Sequence, residues 1–118
     1  MTDDANPRAA AAVLERLTAT IAARRGAEAS TSYVANLFAR GEDAVLRKVI
    51  EEAGEVLLAS KEGDKLHVVR EVADLWFHSL VLLALHDATA SDVLEELVRR
   101  EGVSGLAEKA ARAGAKSQ

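Results

Sequence analysis

The chain has no cysteine, one proline, two phenylalanines, one tyrosine and one tryptophan among its 118 residues. Without cysteine there is neither a disulfide framework nor a thiolate zinc site. Scarce proline and aromatics beside abundant Ala and Leu point to an all-α fold. Basic charge is short too: fifteen Lys and Arg stand against nineteen Asp and Glu, a net charge of −4. A dedicated nucleic-acid binder would show a basic patch or stripe. The most apolar stretch, Leu75 to Leu85, is too short to span a bilayer and contains His78 and Ser79. The start, Met1-Thr2-Asp3-Asp4, lacks the basic residues and apolar run of a signal peptide. A soluble, cytoplasmic protein is expected, with neither nucleic acid nor membrane as partner. Its length predicts one domain, with a modest core that self-association would complete.

Local signals divide the chain into helices. Asn6-Pro7 reads as a start, with Asn as cap and Pro in the first helical position. Val13, Leu14, Leu17 and Ile21 follow at helical spacing until Arg24-Arg25-Gly26 stops the run. A polar link through Glu28 and Ser30 leads to a short helix from about Ser32 to Arg40, ended by Gly41. A third helix is predicted from about Asp43 to Ser60, a turn at Gly63-Asp64, and a fourth helix from about Lys65 to His86. Thr89-x-x-Asp92 looks like a capping box for a fifth helix ending near Gly102. A last helix begins at Ser104 and frays beyond Arg112. The predicted organisation is a disordered tail over residues 1–5, one all-α domain over 6–112 and a frayed tail over 113–118.

The two central helices hold the chemistry. On the third, Leu46, Val49, Ile50, Ala53, Val56 and Leu57 form a broad apolar stripe. Lys48, Glu52 and Glu55 lie together on a neighbouring face, and Glu51 points elsewhere. On the fourth, apolar residues from Val68 to Leu83 surround nearly the whole circumference, which predicts a buried helix. Its polar residues His67, Glu71, Asp74 and His78 fall in a strip roughly 60° wide. Burying an unpaired carboxylate costs several kcal/mol or forces protonation, so this strip must face water, a cationic partner or a metal.

Glu51-Glu52-x-x-Glu55 and Glu71-x-x-Asp74 on antiparallel neighbours make an oxygen-rich cage suited to Mg²⁺ or Mn²⁺. Mg²⁺ is commonly shared between carboxylates and substrate phosphates, which suits attack of an activated water on a phosphoanhydride. A carboxylate-bridged di-iron centre wants Glu-x-x-His on two helices. Here the third helix has no histidine, and Glu71 is followed at that spacing by Asp74. His67 and His78 are ligands or, as is commoner on such a strip, hydrogen-bonded spacers. Salt bridges to Arg47 or Arg70 are the purely structural alternative for the acids.

The acidic pattern, with fifteen residues between its halves, resembles the signature of the MazG-like all-α nucleoside-triphosphate pyrophosphohydrolases. Flanking segments narrow the resemblance to the phosphoribosyl-ATP pyrophosphohydrolase family over roughly residues 14–112. They are Leu17-x-x-x-Ile21-x-x-Arg24-Arg25-Gly26, Ser32-Tyr33-x-x-x-Leu37-Phe38-x-x-Gly41, Lys48-Val49-x-Glu51-Glu52-Ala53, Glu71-Val72-Ala73-Asp74-Leu75 and Ser104-Gly105-Leu106-x-Glu108-Lys109.

That resemblance implies Mg²⁺-dependent hydrolysis of phosphoribosyl-ATP to phosphoribosyl-AMP and pyrophosphate, the second step of histidine biosynthesis. By position, Glu52, Glu55, Glu71 and Asp74 are the implied metal ligands. Glu51 is either a further ligand or the residue that orients the attacking water. Lys48 is placed for a phosphate, or for an i,i+4 salt bridge with Glu52. Ser32, Tyr33, Arg24 and Lys61 are implied for the phosphoribosyl end or the triphosphate, against capping, packing or solvation. Two positions depart from the family pattern: Ile50 stands where Gly is expected and Phe77 where Tyr is. Both read as packing changes that spare the ligands, the second losing a hydroxyl. The cyclohydrolase domain sometimes fused to the family is not expected here.

A chain this small, with a helix apolar all round, is expected to complete an antiparallel bundle with a second copy, as MazG-like bundles do. Two other functions share these features. One is a house-cleaning pyrophosphohydrolase for other nucleoside triphosphates, with the same metal cluster. The other is a non-catalytic helical dimerisation module whose acids meet a basic partner.

Overall fold

The computed structural model of the protein describes residues 7–103 and 105–116. The expected tail over residues 1–5, the cap at Asn6 and the helix start at Ser104 lie outside them. Among the described residues the regular structure is six α-helices and one 3-10 turn: α1 (Pro7–Arg24), the turn Ala29–Thr31, α2 (Tyr33–Arg40), α3 (Glu42–Glu62), α4 (Lys65–Leu85), α5 (Ala90–Arg100) and α6 (Gly105–Lys116). α6 continues past Arg112, where fraying was expected.

The helix ends follow from capping chemistry. Ser32 Oγ accepts from the Ala35 amide at 3.0 Å and starts α2. Gly63 takes a left-handed conformation, φ 78°, that ends α3, and the Asp64 side chain then accepts from the Leu66 and His67 amides to start α4. Thr89 and Asp92 form the full reciprocal capping box of α5. One long-range clasp had no forecast: Arg25 donates to the Ala84 carbonyl at 2.6 Å and to Asp87 at 2.9 Å. It fastens the end of α1 to the end of α4.

α3 and α4 form an antiparallel hairpin with the most extensive helix contact in the chain; α1 crosses α4, and α2 lies on α3. The core gathers at one end of that hairpin. Ile21, Val34, Leu37, Ala44, Val45, Leu80, Val81 and Ala90 are buried there, with Leu14, Leu17, Phe38 and Phe77 against them. Further along, the hairpin leaves the core behind. The Cα radius of gyration is 16.9 Å, against about 13 Å for a compact chain of this length.

One expectation about the hairpin is corrected. α4 is not enclosed within one chain, since Leu66, Val69 and Trp76 are each more than half exposed. On α3 the apolar stripe includes outward positions: Ile50 is 72% and Leu57 69% exposed, while Ala44, Val45 and Ala59 are buried. The buried side of α3 therefore includes the half-buried Lys48 and Glu52. The physical reason is a shortage of partners: one chain supplies too few helices to cover both sides of a long hairpin. Ile50 consequently makes no core contact that would explain its replacement of Gly.

Leu37 of α2 is fully buried within the core cluster. Leu37→Ala is expected to cost about 2–5 kcal/mol of unfolding free energy, measured by urea denaturation. A change under about 0.5 kcal/mol would contradict this placement of the core.

Candidate metal centre

α3 and α4 run antiparallel from Gly63, so a residue some distance before that turn faces one a similar distance after it. Glu52 therefore comes opposite the turn of α4 that holds Glu71 and Asp74. A carboxylate oxygen from each of these three lies within 4.8 Å of the other two. Glu52 and Glu71 are half-buried and Asp74 is exposed, so the cluster opens to solvent on the Asp74 side.

Carboxylates gathered this closely repel one another, and solvent at the exposed Asp74 and the Lys48 ammonium beside Glu52 offset that only in part. Glu71 adds a second cost. Its Oε2 is buried and has no hydrogen-bond partner among the described residues. A buried acceptor is normally satisfied, and here two further carboxylates lie close to the same side chain. An orphaned oxygen in an all-oxygen donor set fits a hard divalent cation such as Mg²⁺ or Mn²⁺.

Lys48 supplies part of the balancing charge. Its Nζ lies 3.4 Å from Glu52 Oε1 and 3.5 Å from Glu51 Oε1. The i,i+4 pair weighed from the sequence is thus formed, with an i,i+3 pair beside it. Burial works against the Lys48 charge, but the adjacent Tyr33 and the Glu52 and Glu51 carboxylates outweigh it and raise its pKa above 10.5. Lys48 spans only one side of the cluster, and the Glu71 oxygen stays unpartnered.

The other candidates divide. Glu55 is exposed on α3 one turn beyond Glu52 and lies outside the three-carboxylate group. Glu51, 53% exposed, faces Lys48. Tyr33 and Ser32 sit at the start of α2; the Ser32 oxygen accepts the capping bond, and the Tyr33 hydroxyl bonds His78 Nε2 at 2.8 Å. Arg24 and Lys61 are not gathered in. Both are exposed in the last turns of α1 and α3, and Lys61 is about 13 Å along the helix axis from Glu52 at 1.5 Å per residue.

The polar strip of α4 is likewise not one surface. His67 turns back to Glu62, Nδ1 to Oε1 2.8 Å, and that carboxylate raises its pKa above 6.5. His78 turns inward. The sequence offered one signal for its role, its position four residues after Asp74, and the structure adds a partner on α2.

Glu71→Gln removes one charge from the cluster and provides an amide that can donate to Glu52 or Asp74. In EDTA this variant is expected to melt above the wild type by about 4–6 °C, from relief of order 1 kcal/mol. Added Mg²⁺ should raise the melting temperature of the wild type and leave the variant unmoved. A variant less stable than wild type in EDTA would contradict the strained cluster.

The chain matches the family model described as phosphoribosyl-ATP pyrophosphohydrolase over residues 14–101, a span that includes every carboxylate above. It is 62% identical over 100 residues to the phosphoribosyl-ATP pyrophosphatase of Neisseria gonorrhoeae, covering 85% of this chain and 94% of that protein. Proteins of the same name from Chromobacterium violaceum and Nitrosospira multiformis are each 61% identical over 100 residues. Those alignments cover 85% of this chain and 93% and 83% of the respective relatives.

Proposed function

The chain belongs to the phosphoribosyl-ATP pyrophosphohydrolase family, and we propose that Glu52, Glu71 and Asp74 are the seat of its divalent cation. It is a hydrolase that splits the α–β phosphoanhydride of 1-(5-phosphoribosyl)-ATP to 1-(5-phosphoribosyl)-AMP and pyrophosphate, in the second step of L-histidine biosynthesis. The observation that supports the site is the buried, unpartnered Glu71 Oε2 inside a three-carboxylate group.

Glu52, Glu71 and Asp74 would hold Mg²⁺, with Mn²⁺ as a substitute, and Glu55 would join them by a change of rotamer. When bound, such an ion supplies charge neutralisation at the phosphates and lowers the pKa of water. The chain's own groups do the rest. Glu51, largely in solvent beside the cluster, orients the attacking water. Lys48 is already charged and held at the rim by Glu51 and Glu52; released from Glu52, its ammonium pairs with a phosphate of the substrate. Tyr33, beside Lys48, is the α2 residue nearest this group; Ser32 is engaged as the cap of α2, and Arg24 and Lys61 would reach only the outer parts of a large nucleotide.

A house-cleaning pyrophosphohydrolase would use the same carboxylates. The match extends well beyond them, from residue 14 to residue 101, and that breadth favours phosphoribosyl-ATP over ordinary triphosphates. No described helix is long and apolar enough to cross a membrane; a cytoplasmic reaction is part of the proposal because the substrate is a nucleotide intermediate of amino-acid biosynthesis.

Assembly completes the proposal. The exposed Ile50 and Leu57 of α3, with Leu66, Val69 and Trp76 of α4, line the hairpin where it leaves the core. A second copy covering these faces would make a homodimer or higher homo-oligomer with a continuous bundle core.

Pyrophosphate release from phosphoribosyl-ATP should require Mg²⁺ and exceed release from a panel of common and modified triphosphates. Glu52→Ala and Asp74→Ala should each abolish it. Full turnover in both variants would remove these residues from the site. For assembly, light scattering should give the wild type at least twice the 12.5 kDa chain mass and Leu57→Glu the mass of one chain. A monomeric wild type would reject the interface.

A further inference from the structure

The Asp74 turn of α4 has a support that lies outside the carboxylate cluster. Among the described residues His78 is the one buried polar side chain, 6% exposed. Its Nδ1 lies 2.8 Å from the Asp74 carbonyl oxygen and its Nε2 2.8 Å from the Tyr33 hydroxyl. A carbonyl can only accept, so Nδ1 holds the proton. Nε2 of the neutral ring then accepts, and the Tyr33 hydroxyl donates its single proton to it.

Both ring nitrogens are committed, so His78 has no lone pair left for a cation. Tyr33 and Phe77 each meet the His78 ring edge to face, with centroids 5.8 and 5.4 Å apart. The imidazole is therefore fixed by packing as well as by its two bonds. The Asp74 carbonyl is also the regular α-helical acceptor for the residue 78 amide. His78 thus ties its ring to the turn that presents Asp74 and Glu71, and Tyr33 ties that ring to the start of α2. α4 cannot roll about its axis or slide along α3 without breaking the Tyr33 bond.

We propose that Tyr33 and His78 are positioning residues for the cation site, holding the α4 turn in the phase that aims Glu71 and Asp74 at Glu52. The proposal rests on the cation reading of those carboxylates. It reassigns Tyr33 from substrate recognition, since the hydroxyl proton that would reach a phosphate is already given to His78. The site then has an outer support on each side: Lys48 on α3, and the Tyr33–His78 pair on α2 and α4. Such outer partners of a metal site typically change affinity 10–100-fold when removed. A support acting through the backbone belongs at the low end.

The test uses the full chain without substrate and reads Mn²⁺ affinity from the electron paramagnetic resonance signal of the free ion. Tyr33→Phe deletes one hydroxyl from a half-exposed ring and is expected to bind Mn²⁺ about tenfold more weakly than wild type. His78→Asn keeps an amide donor near the Nδ1 position, loses the Tyr33 partner, and should match it. Glu71→Gln, measured alongside, should lose most of the affinity. Wild-type Mn²⁺ binding by Tyr33→Phe, with loss in Glu71→Gln, overturns the positioning role and leaves the cation site standing. If that variant also shows a lower metal-free melting temperature, Tyr33 is structural; if it shows a higher KM, Tyr33 reads substrate. Wild-type binding by Glu71→Gln would instead remove the cation site itself.

Discussion

Everything at this site depends on like charge held together. Glu52, Glu71 and Asp74 bring carboxylate oxygens within 4.8 Å of one another, and the Lys48 ammonium pairs with Glu52 on one side. A cluster like this raises the energy of the folded chain unless a cation occupies it. Its persistence on a rigid helical hairpin is a preorganised demand for positive charge. Hydrolysis of a phosphoanhydride is a use for such a demand, because the substrate brings further negative charge that a divalent cation held by these carboxylates would offset.

The fold separates stability from this function. The core lies toward the end of the hairpin where α1, α2 and the far part of α4 meet, around Leu37, Val45 and Val81. The carboxylates lie further along α3 and α4, where packing within the chain thins out and Ile50, Leu57 and Val69 face outward. Tyr33 bridges the regions, fixing α2 to the Asp74 turn through His78, while Arg25 fastens the ends of α1 and α4 at the core end. A strained cluster can thus be tolerated at some distance from the residues on which folding chiefly depends.

Much of this was legible in the sequence, for local reasons. Helix ends at Ser32, Gly63 and Thr89 are set by side chains and turns within a few residues, so capping rules found them. The convergence of Glu52, Glu71 and Asp74 was legible because a three-residue step fixes two acids on one face of α4, and a tight turn fixes which part of α3 lies opposite; Glu55, expected with them, lies outside the group. What a stripe of apolar residues packs against is a different kind of fact. The Leu46–Leu57 stripe of α3 is visible in the sequence, and the structure turns Ile50 and Leu57 of it outward. Periodicity shows that a face is apolar without showing what covers it. The Tyr33–His78 bond, between residues 45 apart, and the Arg25 clasp depend on how helices meet, which spacing along one helix does not encode.

The most direct measurement is anomalous scattering at the manganese edge from crystals of the protein grown with Mn²⁺. The account predicts a peak bounded by Glu52, Glu71 and Asp74, with the Glu71 Oε2 that now lacks a partner among its ligands. A fully occupied peak elsewhere, with Glu71 Oε2 still unligated, would contradict it.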